Sequence, residues 1–250
     1  MFDLNGKSAV VTGAAQGIGE AIVRALADLG ARVAVADLQE DRARAVADSI
    51  VEAGGRALGV RVDVNGGAGL RAAMASIADA HDGIDIIVNS AGVLGTTSIE
   101  EMERTGEWNR VLDINLSGTF FASQAALPYL KESGAGRIIN ISSLTGRNGG
   151  FEGAMSYAAA KGGVNSITRG MARHLAQHRI TVNAVCPATT RTAILDGYSP
   201  ERIENQARHI LLGRLGEPSE IAAAVCYLAS DEAAFTTGVL LDVNGGAYFG

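Results

Sequence analysis

The chain has 250 residues, 47% hydrophobic and 19% charged, and carries a net charge of −6. That balance excludes a disordered chain and a basic nucleic-acid face, and it supports one sizeable buried core. No leader-like start and no apolar run of about eighteen residues occurs, so no membrane contact is expected and the cytoplasm is the expected compartment.

Ser8 to Thr12 is a short run rich in β-branched residues and reads as a buried strand. Gly13, Gly17 and Gly19 follow, and then Ile18, Ile22, Leu26 and Leu29 recur at helical steps until Gly30. Arg32 to Ala36 is the next strand, stopped by Asp37. A helix over Asp41–Ala53, a strand over Ala57–Val62 closed by Asp63, a helix over Leu70–Ala80 and a strand over Ile84–Val88 come next. Trp108–Leu130 predicts one long helix, with Pro128 kinking it or tightening its last turn. A strand over Arg137–Ile141, a helix over Met155–Gln177 and a strand over Thr181–Cys186 follow. Ser199–Leu212 reads as an amphipathic helical segment, Ser219–Leu228 as a helix and Val239–Val243 as the last strand. Seven apolar strands alternating with helices predict an α/β fold: a Rossmann-type, doubly wound parallel sheet with helices on both faces, in a single domain over 1–250.

Three patterns carry chemistry. The first is the glycine loop between the first strand and the first helix, where small residues let a pyrophosphate approach a helix N-terminus. Its spacing, Gly13-x-x-x-Gly17-x-Gly19, departs from the G-x-G-x-x-G fingerprint. The second is Asp37, twenty residues after Gly17 at the end of the second strand. A carboxylate there accepts from both ribose hydroxyls of an adenosine and repels a 2′-phosphate, and Ala14, Ala15 and Gln16 supply no cation, so NAD is expected in preference to NADP. The third is Ser142-Ser143 followed by Tyr157 and Lys161, the last two sharing a helix face at i, i+4. A cation beside a phenol favours phenolate and so a base that works near neutral pH. Cys186 and Cys226 sit in apolar runs and read as free buried thiols, and the four histidines keep no metal-ligand spacing with them, so no metal is expected.

Thr12 with the glycine loop, Asn89-x-Ala91-Gly92, Asn115, Ser143 and Tyr157-x-x-x-Lys161, in this order, resemble the short-chain dehydrogenases/reductases over essentially the whole chain. Within that family the general look is of the 3-oxoacyl-carrier-protein reductase-like branch. The resemblance implies an oxidoreductase that moves a hydride between the nicotinamide and a secondary alcohol or ketone, with no metal. It gives Tyr157 the proton transfer, Lys161 the nicotinamide ribose and the lowered phenol pKa, Ser143 the substrate oxygen, and Asn115 a water linking Lys161 to solvent. Ser143, fourteen residues before Tyr157, is chosen over Ser142. Cofactor contacts are implied for Gly13, Gln16, Gly17, Ile18, Gly19, Asp37, Leu38, Asp63, Val64, Asn89, Ala91, Gly92, Pro187, Thr190 and Thr192.

Three residues depart from the family pattern: Ser90 for a second Asn, Ala188 for the Gly after Pro187, and Asn244 for an Asp. Ala188 leaves the local backbone path open. Val93–Gly95, Leu144–Thr145, Gly149–Glu152 and the 189–213 insertion are expected to surround the substrate, the insertion as a lid. Arg147 and Glu152 are read as solvated. Small residues on two helices (Gly118, Ala122, Ala125 and Ala126; Ala158, Ala159, Gly162, Gly163 and Gly170) fit close approach by a partner subunit, and a homotetramer or homodimer is expected. Two other readings stay open: a 3-oxoacyl-carrier-protein reductase proper, and a non-catalytic dinucleotide-binding regulator, which would not need the Asn115, Ser143, Tyr157 and Lys161 set.

Overall fold

Seven parallel strands form one sheet in the order β3-β2-β1-β4-β5-β6-β7. They are β1 (Ser8–Thr12), β2 (Arg32–Asp37), β3 (Arg56–Arg61), β4 (Ile86–Asn89), β5 (Arg137–Ile141), β6 (Thr181–Pro187) and β7 (Leu240–Val243). This is a computed structural model, and it describes residues 2–102, 106–150 and 154–250. Phe151 and Glu152, expected near the substrate, and the side chain of Ile194 lie outside the described residues.

Helices cover both faces because the central strands are apolar on both. Along β1, Ala9 and Val11 face α1 (Gly17–Asp28), α2 (Glu40–Glu52) and α9 (Pro218–Ala229). Val10 points the other way, to α3 (Ala68–His81), α5 (Gly118–Ser133) and α7 (Met155–Leu175). β2 repeats the alternation, with Val33 and Val35 on one side and Ala34 and Ala36 on the other. Each fully buried Val or Ile of this kind contributes about 1.5–3 kcal/mol. The edge strand β3 is only half-buried, as its Arg ends require.

The chain runs outward from β1 to β3, then crosses back to β4 on the other side of β1. The strand order reverses there, and a crevice opens at the C-terminal ends of the strands. The cleft described below lies in it.

Several expected bounds shift. The helix expected over Trp108–Leu130 is α4 (Glu107–Leu112), a π turn (Asp113–Ser117) and α5. In the π turn the Gly118 N–H donates to the Asp113 carbonyl, five residues back. Pro128 does not end the helix, which runs on to Ser133 and stops at Gly134 with φ +68°. Pro128 and Gln124, whose carbonyl it leaves without a helical donor, are both exposed, so that carbonyl is open to solvent. The segment expected over Ser199–Leu212 is a shorter α8 (Pro200–Arg208), begun by the Ser199 hydroxyl accepting from the Arg202 N–H. A short α6 (Thr145–Asn148) was not anticipated. Four residues with no apolar period leave no signal for it.

Candidate active site

A cleft of about 700 Å³ opens across the strand ends. Its adenosine side is made largely of backbone. A Cβ on Gly13 would lie 2.6 Å from Ala91 Cα, and one on Gly19 would lie 2.2 Å from the Gly13 carbonyl oxygen. Larger residues would therefore push the loop off the β4 corner. Thr12 pins that corner by accepting from the Ser90 and Ala91 N–H groups, both at 3.2 Å. α1 begins at Gly17 with no side-chain cap, so its first amides are left for an anion. Asp37 is buried, and its two oxygens accept from Ala15 N and Gln39 N at 3.0 Å each. Those bonds aim the carboxylate at the cleft rim. Leu38, Asp63 and Val64 line the same end. The cradle fits a dinucleotide: open helix amides, a fixed acid at the next strand and a wall only glycine can make.

Outside the cleft lining, an exposed cation reaches the glycine loop. Arg42 on α2 donates from Nη1 to Gln16 Oε1 at 3.0 Å. Nothing in the linear pattern marked this pair, since it joins two elements across the rim.

The reacting side is built on β5 and α7. Tyr157 is half-buried, and both it and Ser143 face the cleft. Burial raises the phenol pKa, and the nearby Ser143 hydroxyl lowers it by less. Lys161 lies one turn on, its Nζ 5.6 Å from the Tyr157 ring centre. Nζ donates to the Ile141 carbonyl at 2.7 Å, and burial pulls its pKa down to about 8. Ser143, Tyr157 and Lys161 all line the cleft. Ser142 lines it too, but its hydroxyl faces the Lys161 carbonyl at 3.2 Å and Asn165 Oδ1 at 2.6 Å. Adjacent residues at a strand end point to opposite sides, so one hydroxyl serves the α7 packing and the other the cleft.

Two of the expected site residues do not line the cleft. Asn89 Nδ2 donates to Ser123 Oγ and Asn140 Oδ1, both at 2.8 Å, and Asn140 donates to Thr168. It ties β4 to β5 and α5 beneath the site, while Ala91 and Gly92 form the cleft wall. Asn115 is fully buried in the π turn, and its amide clasps the Val93 backbone, accepting from N and donating to O at 2.8 Å each. Its side chain therefore holds the loop after β4. The extra residue of the π turn gives that amide its direction, and π turns of this kind are frequent at functional sites.

Arg147, read as solvated, is nearly buried instead. It bonds Asp242 at 2.7 Å and the Gly250 carbonyl at 3.2 Å, and lies 5.4 Å from the Tyr248 ring centre. It fastens the C-terminal tail. Asn244 serves the same tail, accepting from Gly246 N and donating to the Tyr248 carbonyl, which a carboxylate could not do. Ala188 keeps a negative φ, so no glycine is required there.

One residue was not anticipated. The Glu107 carboxylate accepts from Thr96 N, Thr97 N, Thr97 Oγ1 and Ser156 Oγ at 2.9–3.2 Å. These bonds hold its pKa below the usual range. They join the loop after β4 to the residue that precedes Tyr157.

On the substrate side, Val93, Leu94, Leu144, Thr145, Thr189 and Tyr198 line the cleft. Among the described residues no helix is long and apolar enough to cross a membrane. No group of three or more His, Cys, Asp or Glu side chains there could hold a metal ion.

Comparison with known proteins places this geometry. The family model described as enoyl-(acyl carrier protein) reductase matches residues 13–248. The chain belongs to the short-chain dehydrogenase/reductase family. It is 39% identical over 247 residues to the 3-oxoacyl-(acyl-carrier-protein) reductase FabG of Vibrio cholerae, covering 99% of each chain. It is 37% identical over 243 residues to the 2,5-dichloro-2,5-cyclohexadiene-1,4-diol dehydrogenase LinX of Sphingobium indicum, covering 97% of this chain and 96% of that one. It is 36% identical over 241 residues to the meso-2,3-butanediol dehydrogenase of Serratia marcescens, covering 96% and 94%. The crystal structure of gox2181 superposes with a TM-score of 0.94 at 34% identity, over 98% of this chain and 96% of that one. As a member of the family the chain is an oxidoreductase of alcohol and keto groups, and its dinucleotide fold is the family's.

Proposed function

We propose that this short-chain dehydrogenase/reductase is NAD-linked and interconverts a secondary alcohol and its ketone, with Tyr157 as acid/base. The observation that carries the reading is that Ser143, Tyr157 and Lys161 line one cleft, the Lys161 Nζ 5.6 Å from the phenol ring, with Asp37 at its other end. The dinucleotide, when bound, supplies the hydride acceptor or donor. In oxidation the substrate O–H proton passes to Tyr157 Oη, the C–H leaves as hydride, and the C–O bond becomes C=O. Ser143 donates to the substrate oxygen as it takes on charge. The Lys161 ammonium favours the phenolate that accepts the proton, and also faces the nicotinamide ribose. Gly13, Gln16, Gly17, Ile18 and Gly19 hold the pyrophosphate. Asp37 and Leu38 take the adenosine ribose, Asp63 and Val64 the adenine, and Ala91, Gly92, Pro187, Thr190 and Thr192 the nicotinamide end. Asn115 fixes the Val93 loop.

Residues 189–213 act as a lid. Its α8 packs Ile203 and Ala207 against Leu195, Ile210 and Leu215, a small cluster separate from the main core. That independence suits a segment that closes over substrate.

The test is reduced-nicotinamide absorbance with a panel of secondary alcohols and NAD. The expected result is turnover that Tyr157→Phe lowers by about 10²–10⁴-fold with dinucleotide affinity kept. No turnover of any alcohol or ketone, with dinucleotide binding intact, would favour the non-catalytic regulator.

Two observations favour neighbouring readings. The Arg42–Gln16 pair could receive a 2′-phosphate, so NADP is the alternative cofactor; catalytic efficiency with NADP equal to that with NAD would establish it. The identity to a 3-oxoacyl-(acyl-carrier-protein) reductase favours a 3-oxoacyl thioester as alternative substrate, and reduction of such a thioester in preference to every small ketone would establish that.

We also infer a homo-oligomer formed through α5 and α7. Phe120, Phe121 and Met155 are exposed there, and Cβ atoms on Gly162 and Gly170 would meet almost nothing. Gly118 and Gly163 are accounted for within the chain, by close contact with Val64 and Leu116. A monomeric mass by light scattering at micromolar concentration would refute the oligomer.

A further inference from the structure

Gln206 on α8 lines the cleft, and its Oε1 is buried with no hydrogen-bond partner among the described residues. A buried amide oxygen left unpaired is costly, and such groups in folded proteins ask for an explanation. α8 had other options. Its Glu204 and Arg208 pair with each other in solvent at 2.7 Å, on a helix that buries only its apolar stripe. Gln206 nonetheless turns inward.

The surroundings narrow what it meets. Among the described residues that line the cleft, the charged side chains are Asp37, Asp63 and Lys161. Asp37 ends β2 and Asp63 follows β3, on the adenosine side, and Lys161 lies beside Tyr157. The substrate side offers apolar surface from Leu94, Leu144 and Leu195, with the hydroxyls of Thr145 and Thr189. A carboxylate or phosphate on the substrate would find no cation of its own there. A neutral molecule with a second polar group would find Gln206.

We propose that Gln206 is a specificity residue of this site: it hydrogen-bonds a second hydroxyl or carbonyl on an uncharged substrate, so the site takes a neutral diol or hydroxyketone. The proposal rests on the alcohol/ketone reading above and adds the chemical class of the substrate.

The test compares butane-2,3-diol, butan-2-ol and 3-hydroxybutyrate with the full-length wild type and with Gln206→Met, which keeps length and shape. The wild type is expected to prefer the diol to the mono-alcohol by about tenfold or more in kcat/KM, and not to prefer the hydroxy acid. Gln206→Met is expected to erase the diol advantage through KM while butan-2-ol stays within about twofold, since only the second polar group loses its partner. Gln206→Glu, a check against misfolding, is expected to weaken 3-hydroxybutyrate further by charge repulsion. Dinucleotide affinity by calorimetry is expected to be unchanged in both variants. An unchanged diol-to-mono-alcohol ratio in Gln206→Met overturns the proposal. So does an equal loss on both substrates, a wild-type preference for the hydroxy acid, or a weakened dinucleotide affinity with the ratio kept. Turnover of mono-alcohols with no diol preference refutes this inference alone. No turnover of any alcohol or ketone refutes the reading beneath it.

Discussion

The adenosine side of the cleft is walled by backbone, and the substrate side by side chains. At the ends of β1 and β2, Gly13 and Gly19 bring main chain against main chain, and Asp37 is held by two main-chain amides. Beyond β4 and β6 the wall is Leu94, Tyr198 and Gln206, carried on loops and on a short helix with its own small apolar cluster. The difference teaches where each kind of change acts. A wall made of backbone tolerates few residues, because a larger side chain there would push main chain off main chain. A wall made of side chains is free to vary, so it marks the substrate.

The comparison can be tested from both ends. The largest effect is expected where the two sides meet. Ser143→Ala should lower turnover by about 10²–10³-fold. Ser142→Ala should leave turnover within a few-fold and cost about 1–3 kcal/mol of stability instead, because it strips Asn165 of a buried partner. Steady-state rates and denaturant melts on the two variants decide it, and the reverse pattern would exchange their roles.

On the backbone-walled side, Asp37→Ser should shift the NAD-to-NADP preference by about tenfold to a hundredfold towards NADP, through KM. Adding Arg42→Ala should return part of that shift if Arg42 meets the 2′-phosphate. A preference that does not move would remove Asp37 from cofactor choice.

Glu107→Gln should cost about threefold to tenfold in kcat with a small change in dinucleotide affinity, because a neutral amide accepts its N–H and O–H donors less strongly. Its effect should appear in alcohol oxidation and not in dinucleotide titrations. Equal losses in both would mean a general fold defect.

The smallest effect lies far from the cleft. His81 is buried at 3.3 Å from Ser8 Oγ, and burial, with Arg32 and Arg56 nearby, lowers its pKa from 6.5 to about 4. Between those values the unfolded chain binds a proton that the folded chain refuses. Stability should therefore fall as pH drops through that window, and level off below it. The loss should be about 1–2 kcal/mol once solvent screening of the two arginines is allowed for. Melts of His81→Gln across the window should be flatter than wild type; identical slopes would place the acid sensitivity elsewhere.

Much of this was legible in the sequence, for identifiable reasons. β1 and β2 are continuous apolar runs ending in a glycine loop and an acid, and local pattern suffices for such elements. Tyr157 and Lys161 share one helix, so their relation is also local. What escaped depends on contacts between distant segments. The partners that fix the Asn89 and Asn115 side chains, Asn140 and Val93, lie 51 and 22 residues away. Glu107 joins Thr96 and Thr97 to Ser156 across 49 residues and carries no motif. Gln206 sits in a polar helix where only the fold reveals which side chain turns inward. Arg147 read as solvated because Asp242, its partner, is 95 residues on.

The paired hydroxyls after β5 have one more implication. Asn140 and Ser142 both reach α7, through Thr168 and Asn165, while Ser143 between them and the helix reaches the cleft. The strand thus works as a two-state address code in which odd and even positions go to different compartments. Deleting a single residue between Arg137 and Ser142 would shift this register by one and put Leu144 where Ser143 meets the reacting oxygen, while an insertion would put Ile141 where Ser142 meets α7. Length along this strand is therefore under tighter constraint than identity.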